Sequence, residues 1–336
     1  MTRALATALL AGTIVASMIL AACGEKPEDL GATPEPAKLD LALDFYVNPD
    51  HAGIYMALER GYFERAGLDV QPRVPSDPSA PIREVAAGRA EVAITYEPEV
   101  MLAHEQDLDV VAISALVDEP LTSLISLPDA GISGPADLRG KTVATAGIPY
   151  QSDYLATIAA EGGIQPDQVS EVSVGFNLLP ALLGGQADAI LGGFRNVEGV
   201  DLAVRGENPA VTPVDQLGVP TYDELVLVAR RSEIDDQEEE LRLFLSALAK
   251  GTADAVKGPG AATAAVLAAG QGLDPRLTRA EIDATLPLLA KSKGERFGEM
   301  NAEEWQLFAA WMADNGLIAD APAPDEVLTN ELLPPD

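Results

Sequence analysis

From Leu39 to Phe45 apolar and charged residues alternate and then give way to aromatics, a strand pattern. Asn48-Pro49 reads as an N-cap followed by proline at the first helical position, predicting a helix over Asp50–Arg60 that stops at Gly61. Strands are predicted at Leu68–Val74, Glu91–Thr95, Val110–Leu116 and Leu121–Leu127, with a helix at Pro81–Ala87 closed by Gly88. A second unit begins near Gly131. It reads as strand Thr142–Thr145, helix Tyr150–Ala160, strand Val172–Val174, helix Leu178–Leu183 and strand Ala189–Leu191. The runs Gly88–Ile94 and Gly185–Ile190 share one pattern, a helix end, a tight turn and a return strand, which suggests two lobes of one design. After strand Leu225–Ala229 the chain is almost entirely helical: Gln237–Lys257, Ala261–Gly270, Ala280–Lys291 and Asn301–Asn315. Alternating strands and helices predict largely parallel sheets, hence an α/β fold.

This pattern assigns residues 39–127 and 219–336 to lobe 1, with the C-terminal helices packed on it, and 128–218 to lobe 2. The crossings near Leu127 and Gly218 are the expected hinge. Ligands of open α/β sheets bind beyond the strand C-terminal ends, in the crevice. The candidate loops are therefore Phe45–His51, Tyr96–Glu99, Gly147–Gln151, Gly192–Glu198 and Val219–Glu224.

The N-terminus adds a destination. Arg3 precedes the apolar run Ala4–Ala22, which ends in Leu20-Ala21-Ala22-Cys23-Gly24. Residues 1–22 read as an export signal. Its end resembles the bacterial lipobox, in which the cysteine becomes the lipidated first residue. The competing readings are a permanent anchor, or a cysteine that merely follows a cleavage site. Residues 23–38 are rich in Pro, Glu and Gly and read as a flexible tether.

Composition narrows the chemistry. With 53 acidic and 22 basic residues in 336, the net charge is −31, which argues against a nucleic-acid or anionic-membrane surface. One cysteine excludes a disulfide framework and a CxxC zinc site, and two histidines leave little for a metal site. There is no Walker loop, HExxH, nucleophile elbow or dinucleotide fingerprint. The expectation is a binder with no metal, no cofactor and no catalytic residues.

The run Asp44-Phe45-Tyr46-Val47-Asn48-Pro49-Asp50-His51-Ala52-Gly53-Ile54-Tyr55, followed by Gly61-Tyr62-Phe63, resembles the NMT1/THI5-like family of periplasmic binding proteins. Gly175-Phe176-Asn177, Gly192–Glu198 and Gly218–Glu224 carry further matches. The resemblance implies a type II periplasmic-binding-protein fold, two α/β lobes around a ligand cleft. It also implies a substrate-binding lipoprotein, monomeric and held to the membrane through Cys23. Such a protein delivers a small heteroaromatic ligand to an ABC permease and its ATPase. Asn-Pro-x-His-x-Gly points to the branch that binds thiamine pyrimidine precursors of the formylaminopyrimidine or hydroxymethylpyrimidine type. That branch often has Trp where this chain has Phe45, a smaller stacking wall. Relatives that synthesise the pyrimidine use a cysteine-rich iron motif, which Cys23 alone does not supply.

An aminopyrimidine needs apolar walls for its faces and paired donors and acceptors for its edge. Phe45, Tyr46 and Tyr96 are candidates for one wall, with Tyr150 or Tyr222 opposite; each is equally readable as core. Asn48 is explained by capping alone, and His51 is either a ligand contact or a capping histidine. Glu198, assisted by Asn196, is the candidate carboxylate for the edge, and Glu224 is a second. His104 reads as surface, and Trp305 and Trp311 as core. Rival readings keep the fold with riboflavin, a sulfonate or nitrate as ligand, the anions requiring a cleft cation for which Arg195 is the one candidate. Others are a pyrimidine-synthesis enzyme or a sensor ectodomain.

Overall fold

The computed structural model describes residues 35–290 and 296–335. The signal segment, Cys23 and the tether up to residue 34 lie outside the described residues. Ten strands organise the described residues. The first five are β1 Ala37–Ala42, β2 Leu68–Arg73, β3 Val92–Thr95, β4 Val111–Val117 and β5 Thr122–Ser126. The others are β6 Thr142–Thr145, β7 Ser170–Ser173, β8 Ala189–Phe194, β9 Ala210–Pro213 and β10 Leu225–Ala229. The expected tether is shorter by two residues, because Ala37 and Lys38 already pair with β2.

The helices before the second crossing are α1 Ala52–Glu59, α2 Tyr62–Arg65, α3 Pro81–Ala86, α4 Glu97–Glu105, α5 Tyr150–Glu161, α6 Leu178–Leu183 and α7 Glu198–Arg205. Those after it are α8 Glu238–Lys257, α9 Pro259–Ala269, α10 Pro275–Leu289, α11 Ala302–Asp314 and α12 Pro324–Val327. The predicted helix from Asp50 is split. Pro49–His51 forms a 3-10 turn, with Asn48 Oδ1 accepting from Asp50 N at 2.8 Å, before α1 begins.

The strands form two five-stranded sheets, ordered β2-β1-β3-β10-β4 and β7-β6-β8-β5-β9. Each is mixed rather than largely parallel: β10 runs antiparallel to β3 and β4, and β5 antiparallel to β8 and β9. The reason is topological. β5 and β10 are the first strands after each crossing, so they enter at the C-terminal edge of the parallel strands and run against them.

Strand pairing also relocates the first crossing. Thr122–Ser126, expected in lobe 1, pairs with β8 and β9 of the second sheet. The chain therefore crosses at residues 118–121 instead of near Leu127. Apolar patterning marks Leu121–Leu127 as a strand but does not say which sheet receives it. The return crossing lies between β9 and β10. β4, β5 and β10 are buried at every position, as strands covered on both faces are.

The C-terminal helices pack mainly on the first lobe: α8 on α1 and α2, α9 on α1, and α12 on α4 and β4. Leu328 adds a parallel bridge to Ala112. α10 also reaches α7 of the second lobe. Among the described residues no helix is long and apolar enough to cross a membrane.

α1 and α8 approach closely because small residues face each other. A Cβ on Gly251 would lie 2.3 Å from Gly53 O and 2.7 Å from Ala57 N, both backbone atoms. Gly251→Ala is expected to lose about 1–3 kcal/mol through overpacking. Urea unfolding monitored by circular dichroism checks this; an unchanged midpoint contradicts it.

Candidate functional site

The C-terminal ends of both sets of parallel strands face one narrow cleft. The first lobe contributes Asp44, Phe45 and Asn48 from the loop after β1, and Tyr96 after β3. The second contributes Ala146, Ile148, Tyr150 and Gln151 around the entry to α5. Gly192, Phe194, Val197 and Glu198 line it between the end of β8 and the start of α7, and Thr122 lies at the crossing. About 30 Å³ of the gap is open to the centre of a water molecule, room for roughly two or three waters. A ring-sized ligand must therefore be flat, or the lobes must part to admit it.

Aromatic rings from both lobes form the walls. Tyr96 and Tyr150 meet edge to face at 6.0 Å, and Tyr150 continues to Tyr154 at 4.9 Å. At the rim, Phe45 contacts Phe176 of the opposite lobe edge to face at 4.7 Å. Tyr46 is 54% exposed and packs on Phe176 at 4.5 Å, outside the lining of the cleft.

Asp44, not singled out in the sequence, sets the first lobe's wall. His51 is fully buried: its Nδ1 accepts from Asn48 N at 3.3 Å, and Nε2 lies 2.8 Å from Asp44 Oδ1. With Nδ1 accepting, Nε2 carries the proton and donates to Asp44. Tyr96 OH donates to Asp44 Oδ2 at 3.2 Å. Both ring nitrogens of His51 are therefore used within the protein, and His51 does not line the cleft.

Glu198 does line it. It opens α7, where a helix N-terminus favours negative charge, and its Oε2 accepts from Phe194 N at 2.7 Å. Burial nonetheless pushes its carboxyl up to about 7. At neutral pH the group exchanges readily between acid and carboxylate.

Three other sequence candidates are used structurally. Asn196 Nδ2 donates to Asp50 Oδ1 at 2.7 Å and to Thr285 Oγ1 at 2.8 Å, joining the second lobe to the first and to α10. Glu224 is fully buried. Its Oε2 accepts from Leu121 N and Thr122 N, each at 2.7 Å, its Oε1 from Thr122 Oγ1 at 2.8 Å, and Oε2 also from Tyr222 OH at 3.0 Å. Glu224 and Tyr222 thus tie the two crossings together instead of lining the cleft. Arg195, the one candidate cation, pairs with Glu119 at 2.8 Å and donates to Pro120 O. Among the described residues no Lys or Arg lines the cleft, whereas two acids do. Trp305 is core, its indole donating to Asp223 at 2.7 Å, and His104 is exposed. Of the lining residues that are not sequence candidates, Ile148, Gln151, Gly192, Phe194 and Val197 fall inside the post-strand loops; Asp44 and Ala146 lie one position before such a loop, and Thr122 opens β5.

Residues 48–262 match the family described as NMT1/THI5 like. The chain belongs to the NMT1/THI5-like family. Within it, a putative thiamine biosynthesis protein of Haemophilus influenzae is 33% identical over 285 residues, covering 84% of this chain and 89% of that protein. A formylaminopyrimidine-binding protein of Halalkalibacterium halodurans is 34% identical, covering 82% of this chain and 84% of its own. A 4-amino-5-hydroxymethyl-2-methylpyrimidine phosphate synthase of Legionella pneumophila is 26% identical, with 76% and 81% covered. Among solved structures, the alkanesulfonate-binding protein SsuA of Xanthomonas axonopodis superposes with a TM-score of 0.70 at 13% identity, covering 89% of this chain and all of that one. The nitrate-binding protein NrtA of Synechocystis gives 0.67 at 12% identity, with 90% and 88% covered. The fold is that of the periplasmic binding proteins, two α/β lobes with a helical C-terminal segment on the first.

In this family member carboxyl groups crowd the contact between the lobes. Burial pushes Asp50 well above the ordinary carboxylate range; Asn196 opposes this, while Asp44, Glu198 and Glu224 add to it. Glu281 of α10 is raised to about 8 by burial, then by Glu198 and Asp201 of the other lobe. Glu99 is raised to about 7 by burial, against the hydroxyl of Thr95 that donates to it. Groups held above their unfolded values contribute stability below the unfolded pKa and lose it as pH rises through the folded one. The window here runs from an ordinary glutamate's 4.5 to about 7 and 8. Thermal unfolding is expected to move down by a few degrees, on the order of 2–4 °C per kcal/mol, between pH 5 and pH 8.5. Glu281→Gln should flatten the upper part of that slope, and a slope unchanged in the variant contradicts the assignment.

Proposed function

We propose that the protein is the extracytoplasmic binding component of an ABC importer and that its ligand is a thiamine pyrimidine precursor of the formylaminopyrimidine or hydroxymethylpyrimidine type. The observation that carries this reading is the charge of the cleft: two carboxyl groups, Asp44 and Glu198, and no cation in the lining among the described residues. An anion such as nitrate or a sulfonate would enter against two acids with no charge-assisted donor to receive it. A neutral or weakly basic ring bearing N–H groups has the complementary chemistry. The walls suit a flat aromatic ring, whose faces gain about 0.5–1.5 kcal/mol per aromatic contact beyond burial.

Glu198 faces the ligand's edge. As carboxylate it accepts from the exocyclic amine and from a protonated ring nitrogen; as acid it donates to the neutral ring nitrogen. A carboxyl near 7 serves both pairings. The Halalkalibacterium halodurans relative named as a formylaminopyrimidine-binding protein supports this ligand class. Relatives named as synthases make a phosphorylated pyrimidine. A phosphate would be repelled by this lining, and Cys23 is the chain's single cysteine, so binding is favoured over synthesis. Closure of the lobes about the crossings at 118–121 and 214–224 presents the loaded form to the permease. Export and lipidation at Cys23 hold the protein at the outer face of the membrane.

Calorimetry with 4-amino-5-hydroxymethyl-2-methylpyrimidine, its formylamino analogue, nitrate and taurine tests the ligand class. Binding of the pyrimidines and not the anions is expected; the reverse pattern overturns it. Glu198→Gln should weaken pyrimidine binding at least about tenfold, or 1.4 kcal/mol, with an unfolding temperature no lower than that of the parent. Undiminished affinity would remove Glu198 from the site. Cys23→Ser should move the protein from the membrane fraction to the soluble extracytoplasmic fraction; continued membrane association contradicts anchoring at Cys23.

A further inference from the structure

Gln151 is the second residue of α5 and is 1% exposed, yet it lines the cleft. Its Oε1 is buried and has no hydrogen-bond partner among the described residues. Buried side-chain oxygens are seldom left so, because desolvation is then uncompensated. Gly192 on β8 makes room for the amide: its φ is +106°, and a Cβ there would lie 2.3 Å from Gln151 Nε2. A side chain at position 192 would be strained in its backbone and would expel the amide. The chain thus holds an unsatisfied acceptor in the cleft wall and keeps a glycine beside it.

We propose that Gln151 is a specificity-determining residue whose Oε1 accepts a hydrogen bond from the exocyclic amine of the ligand. This deepens the pyrimidine reading and rests on it. An exocyclic amine carries two N–H groups, and Glu198, on the same cleft, pairs with one of them and the adjacent ring nitrogen. The second N–H is left to find an acceptor, and Gln151 supplies the buried one. A 4-oxo pyrimidine, in which a carbonyl replaces the amine, brings one oxygen against another and leaves the buried amide unpaired. Sites built to pair a polar group reject analogues lacking it far more strongly than apolar pockets reject a size change.

The test measures Kd by calorimetry for 4-amino-5-hydroxymethyl-2-methylpyrimidine and its 4-oxo analogue, on the parent protein, Gln151→Met and Gln151→Glu. The parent is expected to prefer the amine at least thirtyfold. Gln151→Met, similar in size and without an acceptor, should lose at least tenfold of that preference with an unfolding temperature equal to or above the parent's. Gln151→Glu keeps the acceptor and should keep the preference. A Gln151→Met ratio within twofold of the parent overturns the assignment, as does a parent that binds both pyrimidines equally. If Gln151→Met does not fold, a collapsed ratio in Gln151→Glu overturns it instead, and a retained one supports it. A parent that binds neither pyrimidine removes the ligand reading and this inference with it, an outcome distinct from failure in the variants alone.

Discussion

Glu224 fastens the two chain crossings to each other. It takes two backbone N–H groups and one hydroxyl from Leu121–Thr122 on one crossing and the Tyr222 hydroxyl on the other. A fully buried carboxyl is tolerable only when its oxygens are occupied in this way. Since β5 and β10 begin immediately beyond this knot, it fixes where each returning strand enters its sheet. Thr122 belongs both to the knot and to the cleft, so the lining of the site and the chain crossings share one piece of structure.

Carboxyl groups are brought together by that geometry without a base among them in the cleft lining. Asp50, Glu198 and Glu281 lie on three elements from both lobes, and all three hold protons more tightly than free carboxyls do. The arrangement costs folding energy, as functional sites often do. Of the three, Glu198 lines the cleft, and with Asp44 it makes the described lining acidic. The same lobes in distant structural neighbours named for alkanesulfonate and nitrate binding show that the fold itself does not choose the ligand.

The sequence makes the strands and most helices legible because their apolar runs are bounded by glycine and proline. Thr142–Thr145, Leu178–Leu183 and Leu225–Ala229 are read to the residue. Sheet membership is not legible in the same way: Thr122–Ser126 has the composition of any buried strand, and its partners lie some sixty to ninety residues away. The helix α7 and strand β9 are not legible in this way, because the amphipathic stretch after Glu198 is short and β9 is only half buried. For the cleft, position after a strand is the informative signal, and it captures Phe45, Asn48, Tyr96, Tyr150 and Glu198. Residue type misleads where a polar side chain has an internal partner. His51, Asn196, Tyr222 and Glu224 all look chemically suited to a ligand, and each is bonded to the protein itself. Asp44 is the converse, an acid beside a strand end whose part in orienting His51 and Tyr96 emerges only from contacts across 7 and 52 positions.

The aromatic contact at the rim bears on timing. Phe45 and Tyr46 come from one lobe and Phe176 from the other; Phe45 also lines the cleft, whereas Tyr46 and Phe176 lie outside the lining. On the proposed binding role, that contact has to part for a ligand to enter or leave. Tyr46 and Phe176 can then be altered to retune residence without touching the lining, whereas a change at Phe45 alters both.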